Sequence, residues 1–91
     1  MSTSSTSILR KEYDQAVLAR RNYERANLIF DLNDADTHYI QLCIRVQEAY
    51  RDLKKSEESE FRFNSLYLPV INRRLQNLRE KLSNLQLKGG A

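Results

Sequence analysis

Few side chains in this sequence have the chemistry from which an active site is built. There is one histidine, His38, and one cysteine, Cys43. That pair cannot supply a Cys-x-x-Cys redox couple or a His/Cys metal framework, both of which need several such ligands at fixed spacing. A nucleophile–base–orienter triad would have to be assembled around that one imidazole. His38 lies beside Asp36 and Thr37, where a helix is expected to begin, and reads as a partly exposed first-turn residue. Cys43 falls on the apolar side of the same helix, with no histidine three or four residues away to lower its pKa, and reads as a small buried hydrophobe. Glu57, Glu58 and Glu60 form a carboxylate cluster flanked by Lys54 and Lys55, the pattern of a solvated helix face. Both glycines, Gly89 and Gly90, sit at the C-terminal end, so no glycine-rich loop is placed to cradle a phosphate. The expectation is a protein that is not an enzyme and carries no cofactor or metal.

Two other residue sets can bind without catalysis. Arg20, Arg21 and Arg25 cluster in the first third of the chain, and Arg73, Arg74, Arg79, Lys81 and Lys88 in the last third. Arg74, Lys81 and Lys88 recur every seven residues and so share one helix edge. If the two basic edges lie side by side they form a stripe suited to phosphates. The net charge is only +3 and no groove-reading motif is present, so nucleic acid is the secondary expectation, with Arg20, Arg21, Arg25, Arg73, Arg74 and Lys81 as its candidates. The second set is aromatic. Tyr13, Tyr23, Tyr39 and Tyr50 fall on or beside apolar seam positions, each combining an apolar ring with a hydroxyl that needs water or a partner. Such residues suit the margin of a thin core or a protein interface. Tyr67 lies off the seam and reads as an exposed contact.

The elements that position these residues follow from spacing. With one proline and two glycines in 91 residues, the chain lacks the regular turn signals of a sandwich or barrel. Leu9, Ala16, Tyr23 and Phe30 repeat every seven residues, with Ala19 and Ala26 between them, which is a helical seam over about three heptads. Ser7 is the expected N-cap and Asn33 the expected left-handed C-cap. Asp34 to Thr37 reads as a turn into a second helix, whose stripe is Tyr39, Leu42/Cys43, Val46, Ala49/Tyr50 and Leu53. That stripe fades over Lys54–Glu60, where the chain either continues as a solvated helix, the favoured reading, or loops between Ser56 and Phe63. The third stripe has Phe61, Leu68, Leu75 and Leu82 in one column and Ile71, Leu78 and Leu85 in the other. Pro69 fits best in the first turn of a helix starting near Asn64 or Ser65, the alternative being a kink.

These stripes predict a disordered Ser/Thr-rich lead over 1–6, a single helical domain over 7–88 with helices near 7–32, 35–58 and 65–87, and a tail at 89–91. The fold expected is all-α, an antiparallel three-helix bundle with coiled-coil-like heptad packing; the alternative is an extended helical hairpin that dimerises. Formal charge over residues 1–30, 31–60 and 61–91 is +2, −4 and +5, so an acidic middle helix lies between two basic ones, a pattern that selects pairing. No apolar run approaches the roughly 20 residues needed to cross a bilayer, and no membrane partner is expected.

The segment Leu68-Pro69-Val70-Ile71-Asn72-Arg73-Arg74-Leu75 resembles the Pro-x-x-x-Arg-Arg-Leu segment of tubulin cofactor A, a small three-helix protein, and Tyr23-Glu24 is similar to part of that family's first helix. The resemblance covers a small part of the chain and the spacing between its two parts differs from the family's, so no function is carried over. The functional expectation is a cytoplasmic protein–protein interaction module: an adaptor, assembly factor or small subunit that binds another protein or itself. Its candidate contacts are Tyr13, Tyr23, Phe30, Tyr67, Leu75, Leu78 and Leu82, and the alternative is an RNA- or DNA-binding helical protein.

Overall fold

The computed structural model describes residues 2–29 and 35–89, with side chains over 5–29 and 35–87. Its regular structure is entirely helical: α1 (Ser2–Asn27), α2 (Thr37–Glu57), and a third segment running from Glu60 to Gly89. That segment comprises a short α3 (Glu60–Arg62), a π-helical turn (Phe63–Tyr67) and α4 (Leu68–Gly89). The chain is thus an antiparallel three-helix bundle, as the heptad stripes predict. Thr6 bonds Ser56, the Tyr13 ring packs tilted against Tyr50, and Tyr39 bonds Glu24, so numbers rise along α1 as they fall along α2. Lys54 lies over the Tyr67 ring and Arg79 bonds Glu48, which sets α4 antiparallel to α2 as well.

The helix boundaries depart from expectation in instructive ways. α1 begins at Ser2, so the helix extends through the stretch expected as a disordered lead, and Ser7 is not its cap. It ends at Asn27, well before residue 32. Leu28 takes a left-handed φ of 54°, and the Ile29 N–H reaches back to the Glu24 carbonyl at 3.0 Å. This is a Schellman stop, built on a leucine where glycine is usual. The expected cap Asn33 and the seam residue Phe30 lie outside the described residues. α2 opens on Asp36, whose carboxylate accepts the Tyr39 N–H at 2.8 Å. It closes at Glu57, and Ser59 starts the next helix by accepting the Arg62 N–H at 3.2 Å. The break is therefore a tight step at Glu58–Ser59, which replaces both the favoured continuous solvated helix and the alternative loop reaching Phe63.

Pro69 falls in the first turn of α4, yet the chain arrives there through a π-turn instead of a fresh start near Asn64. The Leu68 N–H bonds the Phe63 carbonyl five residues back. Proline clashes with the carbonyl four residues before it in a regular helix, and the wider π-turn occupies that place here. The turn inserts one residue into the helical phase. Counting seven residues back from the buried Ile71 reaches Asn64, but counting eight reaches Phe63, and Phe63 is the residue in the core, 5% exposed. Phe61, expected at the head of the leucine column, is rotated out and 80% exposed.

α2 is the central element. Both α1 and α4 pack along it, and no comparable contact joins α1 to α4 among the described residues. Residues on two flanks of α2 are consequently buried: Tyr39, Ile40, Cys43, Val46 and Leu53. Ile40, which the second stripe does not include, is 0% exposed. Ala16 from α1, Ile29 and Ala35 beside the α1–α2 connection, Phe63 from the π-turn and Ile71 and Leu75 from α4 are buried with them. Burying each large aliphatic side chain contributes about 1.5–3 kcal/mol, so a core this thin rests on few residues.

Candidate functional site

At the end of the bundle where α1 turns into α2, the tyrosines are tied down. The Tyr23 hydroxyl donates to Asp36 Oδ2 at 2.5 Å and the Tyr39 hydroxyl donates to Glu24 Oε2. The two rings stack at 6.3 Å between centroids, and the His38 ring tilts against Tyr23 at 4.7 Å. Asp36 therefore accepts a phenol and caps α2 with its two oxygens. The Tyr23 hydrogen bond, then the Tyr39 N–H, holds its carboxyl below the usual carboxylate range. The Tyr23 phenol is pushed up by the same bond, and that of Tyr39 by burial and then by Glu24. These are fixed, protonated phenols acting as structural donors.

Beside this lattice lies a groove of about 330 Å³, floored by α2 and walled by α1 and α4. Tyr39, Cys43 and Gln47 come from successive turns of α2, Arg20 from α1, and Arg74, Asn77 and Leu78 from α4. Two atoms of these lining residues, Arg20 Nε and Gln47 Oε1, are enclosed by the protein rather than open to the groove and have no hydrogen-bond partner among the described residues. Arg20 Nε stands 4.0 Å from Glu24 Oε2, within Coulombic reach but beyond a hydrogen bond. Cys43 is a free thiol on the floor, and burial pushes its pKa up, which keeps it protonated and a poor nucleophile.

A second cleft, of about 630 Å³, lies between α2 and the π-turn. Its charges, Arg51 and Lys55 with Asp52 and Glu60, are of both signs, and Arg51 already contacts Asp52 at 3.3 Å. It offers no convergent chemistry. Glu57 and Glu58 are spent on ion pairs with Arg10, Lys54 and Arg62. Among the described residues no group of three His, Cys, Asp or Glu side chains is placed to hold a metal ion, and no helix is long and apolar enough to cross a membrane.

The expected contact residues are dispersed. Leu75 is 2% exposed and belongs to the core, so it is unavailable to a partner: a leucine column facing a central helix is consumed by it. Leu78 and Leu82 are half-buried against the core cluster, and Leu78 alone of the expected leucines also lines the groove. Tyr13 is half-buried against Tyr50 at 5.7 Å. Tyr67 is half-buried rather than exposed, because Lys54 lies 5.6 Å above its ring and equally above Tyr50. Phe30 lies outside the described residues. Of the basic candidates, Arg20 and Arg74 are brought together at the groove. Arg21, Arg25 and Arg73 are exposed, and Lys81 is half-buried. Gln47 and Asn77 were not singled out from sequence; uncharged amides inside helical stripes carry no signal until the helices facing them are known.

No protein-family model matches this chain, and neither the comparison with curated proteins nor that with solved structures gave a match.

Proposed function

We propose that this protein is a non-catalytic protein-binding module, an adaptor, assembly factor or small subunit of a larger complex, acting through a helical face. The observation that carries this reading is the incomplete closure of the bundle. α1 and α4 both rest on α2 and leave the side between them open, and a partner element placed there would finish a core that is thin for its length. Large apolar side chains left in solvent on the helical surfaces, among them Phe61, Leu66 and Leu18, add further contact area of the kind interfaces use. A lone cysteine held as a buried thiol suits a reducing, cytoplasmic setting.

The test is recovery of the tagged full-length chain from its native source under increasing salt, with identification and stoichiometry of the chains retained. A partner kept at constant ratio across the salt series is the expected result; recovery of the chain alone overturns the reading. Self-association is read separately by light scattering at micromolar concentration. The convergence of Arg20 and Arg74 favours a second reading, nucleic-acid binding. Its signature would be retained RNA or DNA lost steeply as salt rises.

A further inference from the structure

We infer that this chain also dimerises by exchange: the segment after Ser59 leaves its own α2 and packs on the α2 of a second copy. The step at Glu58–Ser59 is the hinge. The inference goes beyond the protein-binding reading and does not rest on it.

Little separates α2 from the third segment. Glu58 (φ −100°, ψ 158°) and Ser59 (φ −64°, ψ 155°) are extended, while the bonds on either side already have helical spacing. The Glu58 N–H reaches the Lys54 carbonyl and the Phe63 N–H the Ser59 carbonyl, each at 2.9 Å. The Arg62–Glu58 ion pair, at 3.1 Å, is an i,i+4 pair of the kind found on a helix face. Turning chiefly the two ψ angles to about −42° carries the helix through. No glycine or proline lies between Thr37 and Leu68 to oppose this. A through-helix also pairs backbone groups that two helix ends leave open. The Ser59 hydroxyl, which accepts the Arg62 N–H at 3.2 Å, is the cap that holds the closed form.

Three observations point to a second copy, set antiparallel. The third segment packs on α2 with no comparable contact to α1 among the described residues, so the same segment of another chain restores what is given up and α1 stays in place. On a through-helix the two apolar columns also join. Tyr39, Val46 and Leu53 are buried at seven-residue intervals. Leu68, Leu75 and Leu82 continue that column after two heptads and the one residue inserted by the π-turn. Finally, the formal charge is −4 over residues 31–60 and +5 over 61–91. Two such helices laid antiparallel set acidic half against basic half, whereas a parallel pair sets like against like. Exchange through a short hinge is a low-cost route to such a dimer.

The test begins with the unaltered full chain, unfolded and refolded at high concentration. Light scattering should find a species of twice the chain mass. Small-angle scattering should find it about 80 Å long, against 47 Å for the closed bundle. Exchange itself is read by refolding Glu48→Cys chains together with Arg79→Cys chains, both carrying Cys43→Ala, and adding a short bismaleimide. Glu48 and Arg79 meet at 3.3 Å, so exchange yields a covalent heterodimer. Glu60→Pro separates the two forms. Ser59 already has the extended ψ preferred before proline, and position 60 opens a helix, where proline is tolerated; a through-helix does not accept it. This change should leave the monomer folded and weaken dimerisation by at least about a hundredfold. Ser59→Ala, which removes the cap, should strengthen dimerisation roughly tenfold. Thermal melts check that the variants stay folded, and the mass and length of the unaltered chain stand without them. A chain monomeric at every concentration, a dimer that gives no heterodimer crosslink, or one indifferent to Glu60→Pro overturns the exchange. Each of these results leaves the protein-binding reading standing, since that is judged on the partners retained from the native source.

Discussion

The two ends of the bundle are held by different physics. Where α1 turns into α2, the fastening is directional: phenol hydroxyls on Asp36 and Glu24, a capping carboxylate, and a Schellman stop at Leu28. Where α2 turns into the third helical segment, the fastening is volume. One added residue in the π-turn drives Phe63 inward and Phe61 outward, and a broad cleft of mixed charge stays open beside it. Hydrogen bonds to ionised partners locate a few atoms; packing of one aromatic ring sets the phase of a whole helix. The first can be loosened by pH and single-atom changes, the second only by changing shape.

The largest expected effect tests the packed end. Phe63→Ala should cost about 3–5 kcal/mol in chemical denaturation, while Phe61→Ala should stay within about 0.5 kcal/mol. Equal costs would mean that the heptad column, not the π-turn, sets the phase. At the bonded end, Tyr39→Phe removes a buried donor to a carboxylate and should cost about 1.5 kcal/mol. Tyr23→Phe should cost less, because Asp36 is exposed and regains water. Leu28→Gly should instead stabilise the protein by about 1 kcal/mol, since a left-handed leucine is strained and this one, 70% exposed, gives up little packing. A melting temperature that falls on this change would show that the Schellman stop depends on the leucine side chain.

The smallest effect is in acid. Asp36 has a folded pKa below its unfolded value, so the folded state binds its proton less readily than the unfolded chain. Its contribution is present above the unfolded value, about 3.9, and is lost as pH falls through the folded one. Asp36→Asn, which keeps a capping side chain, should flatten the decline in melting temperature as pH falls below about 4. Parallel declines in the two proteins would remove Asp36 from the account. The Phe63 variant's loss should persist across the same pH range.

The helical class and the antiparallel order were legible in the sequence because heptad spacing and the scarcity of glycine and proline are local signals. The leucine column was legible from Leu68 onward and failed at Phe61, since nothing local announces a π-turn; Pro69 marked the place without specifying the remedy. The stop at Leu28 was hidden for a similar reason, leucine being among the least expected residues in that conformation. At the groove, Arg20 and Arg74 were recognised separately as basic edges, whereas their lining of one groove together with Gln47 and Asn77 depends on how α1 and α4 are set against α2.

By itself, then, the sequence determined periodicity, segment order and the alternation of charge, all of which are properties of neighbours along a chain. Only the tertiary structure decided that the middle helix would be buried on two flanks, which is why Ile40 became the most deeply enclosed residue of the core. It also decided that the outer helices would rest on that helix instead of on each other. The reason is geometric: a stripe states which face of a helix is apolar, but how many neighbours share that face, and what gap they leave, is settled only when the helices meet.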